Sequence, residues 1–359
     1  MRRLATAALA AIVATALVSG VLGGLVRAGT ALPAALAGPW LAPAAAQHAF
    51  LMVSCFLGTV IGVERAVALK HPLAFVAPGL SGAAGVVALA GWAAAVWLAF
   101  AASVAFVAVN IEVLRRQAAG HTALLLAGAL AWGAGNALFA TGAALGPVIA
   151  WWFAFLVLTI AAERLELTRL MPRGPATRAM LHAILAALAA SAALTSFDSA
   201  AGGLLYGAAL LALAIWLLRH DIARRTLHTS GLSRYMAVCL LAGYAWLAVA
   251  GAAWAANALG LPLRDLSLHA LAIGFVFSMI LGHAPVILPA VARVRLRYGP
   301  WFYGPLALLH ASLALRLLMA FAEPQALRWG AVGNALAIVA FAATVAGSAL
   351  AWKREPAKT

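Results

Sequence analysis

At 359 residues, the chain is 66% hydrophobic and only 9% charged, with a mean hydropathy of +1.02. A soluble protein carries about 25% charged residues, so the composition excludes a soluble globular fold and requires a polytopic membrane protein. The formal net charge of +15 would direct a soluble protein towards nucleic acid. Here the basic residues sit in short segments between apolar runs, so they read as topology signals and contacts to anionic lipid, and no nucleic-acid partner is expected. The two cysteines, Cys55 and Cys239, fall inside apolar runs and supply neither a disulfide framework nor a Cys-rich metal site.

The N-terminal stretch MRRLATAALAAIVATALVSG has the charged-then-apolar form of a signal peptide. Its apolar run is long enough to span a bilayer and lacks a clear cleavage site, so it reads as a retained first helix. A bilayer-crossing helix needs roughly 20 apolar residues. Such runs fall near 4–26, 44–67, 73–92, 95–114, 122–143, 147–167, 179–196, 202–218, 235–257, 266–290, 301–320 and 329–351. The expected fold is therefore all-α, with twelve transmembrane helices forming one membrane domain over 1–359 and Gly91-Trp92 marking a tight hairpin. With the N-terminus inside, 20 of the 24 Lys and Arg residues lie on the inner side, and only Arg27, Arg264, Arg316 and Arg328 lie outside. That asymmetry predicts a bacterial-type inner membrane location with both termini cytoplasmic.

Three helices share a pattern. FLGTVIGVER (56–65) in the second and FLVLTIAAER (155–164) in the sixth match at Phe, Leu, Ile, Glu and Arg without a gap. FVFSMILGHA (275–284) in the tenth matches more loosely and puts His283 where the others have Glu64 and Glu163. A second register instead aligns His269-Ala270 with His48-Ala49. Either register suggests three pseudo-repeats of four helices.

The tenth helix carries His269, His283, Pro285 and Pro289 in an otherwise apolar run. His48 and His269 each lie near the outer end of a helix that runs inward. Two neutral imidazoles at one depth on two helices can ligate a haem iron axially. A histidine at a membrane boundary can equally be an amphipathic residue with no ligand. His283 lies 14 residues beyond His269, which is about 21 Å along the axis and about 40° off the same face. Beside two prolines that free backbone carbonyls, it suits a second metal site or a proton relay, or simply a bond to a neighbouring helix. Glu64-Arg65 and Glu163-Arg164 fit interfacial salt links or, with His283, an inner proton path; Glu166 adds charge there. His310 and Asn136 read as contacts between helices. Trp151, Trp152 and Trp301 read as interface-belt residues, and Gly20, Gly23, Gly24, Gly133 and Gly135 as helix contacts.

Twelve helices in three arcs, with His48 on the second and His269 on the tenth, resemble the catalytic subunit of haem–copper oxidases. The shorter length and the strings HAFLM (48–52) and HALAIG (269–274) look more like the NnrS family of twelve-helix haem proteins linked to nitric oxide response. The resemblance implies a low-spin b-type haem on His48 and His269. The oxidase pattern also has a His on the sixth helix and a His pair on the seventh for copper. This chain has no His on the sixth and only His182 on the seventh, so neither copper nor oxygen reduction is expected. The reading is an inner-membrane b-type haem protein with a redox or nitric-oxide-response role, served by an electron donor or a small-molecule ligand. The rivals are a proton-coupled secondary transporter using Glu64, Glu163 and His283, and a structural subunit without a cofactor.

Overall fold

A computed structural model describes residues 2–168, 174–292 and 294–354. Arg169, Arg173, Arg293 and Lys358, which enter the charge count, lie outside the described residues. Among the described residues every regular element is helical. Among these residues, twelve helices are long and apolar enough to cross a membrane: α1 Ala7–Arg27, α2 His48–Leu69, α3 Pro72–Leu89, α4 Ala94–Arg116, α5 Gly120–Ala140, α6 Leu145–Leu167, α7 Pro175–Leu194, α8 Ser199–His220, α9 Gly231–Ala258, α10 Arg264–Ala292, α11 Pro300–Phe321 and α12 Gln325–Trp352. Each lies within a few residues of its predicted place, as expected when the length of an apolar run is the signal. The chain is thus a multi-pass membrane protein.

Local rules explain the connections. Gly91, at φ 76°, turns the chain from α3 into α4, and the expected hairpin forms there because glycine adopts this left-handed conformation without a Cβ clash. Lys70 ends α2 in the same region, at φ 56°, with its N–H reaching back to the Ala66 carbonyl at 3.1 Å. One predicted helix is broken. A short helix, Leu41–Ala46, ends at Gln47, whose ψ of 21° leaves helical geometry, and α2 restarts at His48.

α2 and α10 depart from regular α-helix in the same way. The stretch Leu51–Leu57, three residues after His48, is π-helical, and so is Ala270–Phe277, directly after His269. A π-helix closes i→i+5 bonds, widens the helix and turns the side chains that follow; such segments are rare and gather at functional sites.

The chain packs as two compact units, residues 1–171 with 189–202, and residues 172–188 with 203–359. The first unit contains α1–α6. Its interior is aromatic: Trp132 stacks on Phe155 at 5.2 Å between ring centroids, Phe139 meets Trp152 at 5.1 Å, and Phe50 meets Phe139 at 5.0 Å. A polar knot is enclosed by these rings. Asn136 Oδ1 accepts from the Ser54 hydroxyl at 2.7 Å and from Trp152 Nε1 at 2.9 Å, while its Nδ2 donates to the Ala99 carbonyl at 3.0 Å. Trp132 Nε1 donates to Ser54 Oγ at 3.1 Å, and the Ser81 hydroxyl donates to the Ser54 carbonyl at 2.6 Å. All five side chains are buried, so α2 to α6 are tied by donors and acceptors that have no water to fall back on. Trp152 is therefore a core residue and not an interface anchor: its indole N–H is used inward by Asn136, and Gly135 leaves room for the ring. Trp301, half exposed, keeps a belt-like position.

In the second unit, α9–α12 pack through small residues. A Cβ on Gly274 would overlap the Trp246 ring, and one on Gly330 would overlap the backbone of Arg316. Asn334 on α12 donates to Ser312 Oγ on α11 at 2.7 Å. Close approach at glycines with polar links across the contact is the usual way membrane helices associate.

The knot predicts an asymmetry between two buried asparagines. Asn136→Ala breaks three bonds and strands Ser54 and the Trp152 N–H, a loss of about 1–3 kcal/mol. Asn110 Nδ2 bonds only the Phe106 carbonyl of its own helix, so Asn110→Ala costs under about 1 kcal/mol. Unfolding in mixed micelles compares the two; equal losses would show that the knot contributes nothing special.

Candidate functional site

His48 opens α2 and lies against the glycine face of α1. A Cβ on Gly24 would stand 2.7 Å from His48 Cε1, and the Gly23 position faces the backbone at Ala44, so glycines at these sites make the seat for the ring. The Gly20 carbonyl lies 2.7 Å from His48 Nδ1. A carbonyl can only accept, so Nδ1 carries the proton and the lone pair is on Nε2. A histidine held by Nδ1–H on a backbone oxygen is the usual arrangement of a metal ligand through Nε2.

His269 is held by different means. Its Nδ1 is 2.9 Å from Asp265 Oδ1 and 3.1 Å from the Asp265 carbonyl, one helical turn earlier on α10. Arg316 on α11 grips the same carboxylate with both ends of its fork, Nη2 to Oδ1 at 2.9 Å and Nε to Oδ2 at 3.2 Å. Nη2 is also 3.1 Å from His269 Nε2 and 3.3 Å from Nδ1. Near-equal distances to both ring nitrogens place the guanidinium over the ring, off the line of either lone pair. Here too Nδ1–H has an oxygen to donate to, and Nε2 carries the lone pair.

Three of the other sequence candidates bond their own helix or its neighbours. His283 donates Nδ1–H to the Met279 carbonyl at 2.7 Å, a turn back on its own helix. His310 accepts at Nδ1 from Trp246 Nε1 at 2.9 Å and meets Ser278 Oγ at 3.4 Å through Nε2, so both nitrogens link α11 to its neighbours. Asn136 belongs to the polar knot. Among the described residues no three or more His, Cys, Asp or Glu side chains gather as a metal site.

Glu64 and Glu163 are brought together by Arg65, which bonds Glu64 Oε1 at 3.0 Å and also Glu163 Oε1. The Glu-Arg pair of α2 thus meets Glu163 of the matching pair on α6. Arg65 is 9% exposed in its side chain, so this is a largely buried ion cluster of the first unit, whereas His283 belongs to the second.

Asp265, Arg316 and Ser54 carry no motif. The one signal for Asp265 is its place four residues before His269, where helical geometry stacks the two side chains. Arg316 was visible only as one of four basic residues on the sparse side of the charge count.

The family model described as Domain of unknown function (DUF8744) matches residues 3–350. No curated protein and no solved structure matches the chain.

The Arg65 cluster gives a direct test of its role. Arg65→Met leaves two half-buried carboxylates facing one another and should cost about 3–5 kcal/mol in unfolding stability. The neutral triple variant E64Q/R65M/E163Q should recover most of that loss, because the charges disappear together. Tolerance of Arg65→Met alone would rule out a structural ion cluster.

Proposed function

The chain belongs to the DUF8744 family, and we propose that it is an inner-membrane protein, both termini cytoplasmic, that binds a b-type haem in a redox or nitric-oxide-response role. The observation that carries this reading is shared by two histidines. Each stands at the head of a π-helical stretch, and each has its Nδ1 beside an oxygen that fixes the tautomer. His48 and His269 are thus the two candidate iron ligands, each prepared within its own unit. The residues present fit the group: both offer Nε2 lone pairs, His48 from a seat made by glycines and His269 from a carboxylate-anchored ring. Haem, when bound, supplies a one-electron couple and an iron able to take a diatomic ligand. The chain's part is to hold each imidazole in one tautomer and one orientation.

The π-helical stretches also bear on the repeat. They favour the register that aligns Phe56 with Phe275 within three pseudo-repeats of four helices, because Leu51 then falls on Ala270, where each stretch begins. In that register His283 takes the position of Glu64 and Glu163, and His48 aligns with Ser267. The transporter reading loses support from Arg65, which engages both carboxylates that the reading needs.

Protein purified after expression with added haem should show a b-type band in the reduced-minus-oxidised spectrum. His48→Ala and His269→Ala should each abolish or shift it. Absence of the band in the parent protein rejects the haem, and a band indifferent to both changes rejects the ligands.

A further inference from the structure

The two candidate ligands are not held alike. His48 Nδ1 donates to a neutral carbonyl, that of Gly20. His269 Nδ1 faces a carboxylate, Asp265, and that carboxylate is itself gripped at both oxygens by Arg316. The cluster is only partly open: Arg316 is 10% exposed in its side chain, His269 18% and Asp265 43%. Arg316 owes its position to α12, where a side chain at Gly330 would run into the Arg316 backbone.

A carboxylate that accepts Nδ1–H draws the proton away from the ring and pushes electron density towards Nε2, which strengthens the imidazole as a ligand. A guanidinium bidentate on the same carboxylate draws that density back, because its two charge-assisted bonds use the oxygens that would otherwise polarise the histidine. Arg316 Nη2 over the ring adds a second positive influence on the same imidazole. The carboxylate and the guanidinium therefore act on His269 in opposite directions.

We propose that Asp265 and Arg316 form an opposed pair that sets the donor strength of His269, and through it the potential of an iron bound there. For the iron this rests on the haem reading above; for the imidazole it stands on the contacts alone. Asp265 and Arg316 are positioning residues in this scheme and touch no substrate.

Two measurements on the full-length protein test the pair. In haem-loaded protein, spectroelectrochemistry should show Arg316→Met lowering the midpoint potential, because an unopposed carboxylate favours the ferric iron. Asp265→Asn should raise it. A tenfold change in the ferric-to-ferrous ratio at fixed potential, 59 mV for one electron, is the expected scale. Arg316→Lys, which keeps the charge but loses the fork, should fall between Arg316→Met and the parent. Shifts of one sign in both variants, or no shift with haem present, would overturn the proposal. The second measurement needs no haem: ¹⁵N NMR of histidine-labelled protein, with His269 assigned by its loss in His269→Gln. The His269 Nδ1 signal should be that of a protonated, strongly hydrogen-bonded nitrogen. It should move in opposite directions in Arg316→Met and Asp265→Asn, while His48 stays still. An unmoved His269 signal in both variants overturns the proposal even if haem binds. Opposed NMR shifts in a protein that takes up no haem uphold the pair and reject the haem reading alone.

Discussion

In hydrocarbon a polar side chain has no water to satisfy it, and that constraint organises the described residues. Asn136, Ser54, Ser81, Trp132 and Trp152 satisfy one another and in doing so fix α2 to α6 of the first unit. Arg65 gathers Glu64 and Glu163, and Arg316 gathers Asp265 and His269. Each group is small and includes residues from different helices. The polar content of the chain is low, and these three groups use part of it to set helices against one another.

The same constraint gives the π-helical stretches their interest. An i→i+5 segment in lipid keeps its backbone bonds within the helix but rotates the side chains that follow it. In α2 that rotation accompanies Ser54 and the aromatic core, and in α10 it accompanies Gly274, against which Trp246 packs. A histidine before such a segment is oriented by a backbone that differs from the rest of its helix. The haem proposal depends on this pairing of His48 and His269 with altered helix geometry, and their different Nδ1 partners give the two imidazoles different donor strengths.

Much of the candidate site was legible. His48, His269, Glu64, Glu163 and the matched Glu-Arg strings stand out because charged and titratable residues are scarce in an apolar chain. Their partners were not legible. Gly20 supplies a backbone carbonyl from 28 residues away, and Arg316 reaches Asp265 across 51 residues. Trp152 was misleading for a physical reason: a tryptophan near the end of an apolar run looks the same whether its N–H points to headgroups or, as here, to a buried asparagine.

Sequence alone determined the all-helical membrane class, the number of spanning helices and most of their ends, because the bilayer sets one length for every apolar run. It also marked which helices carry ionisable side chains, since such groups are costly in lipid and therefore few. Only the tertiary structure decided the break at Gln47, the π-helical stretches, the carbonyl and carboxylate on which the two histidines rest, and the guanidinium that opposes one of them. The Gly20 carbonyl and the Arg316 guanidinium come from helices distant in the chain, and no local pattern of residues encodes which helix face meets which.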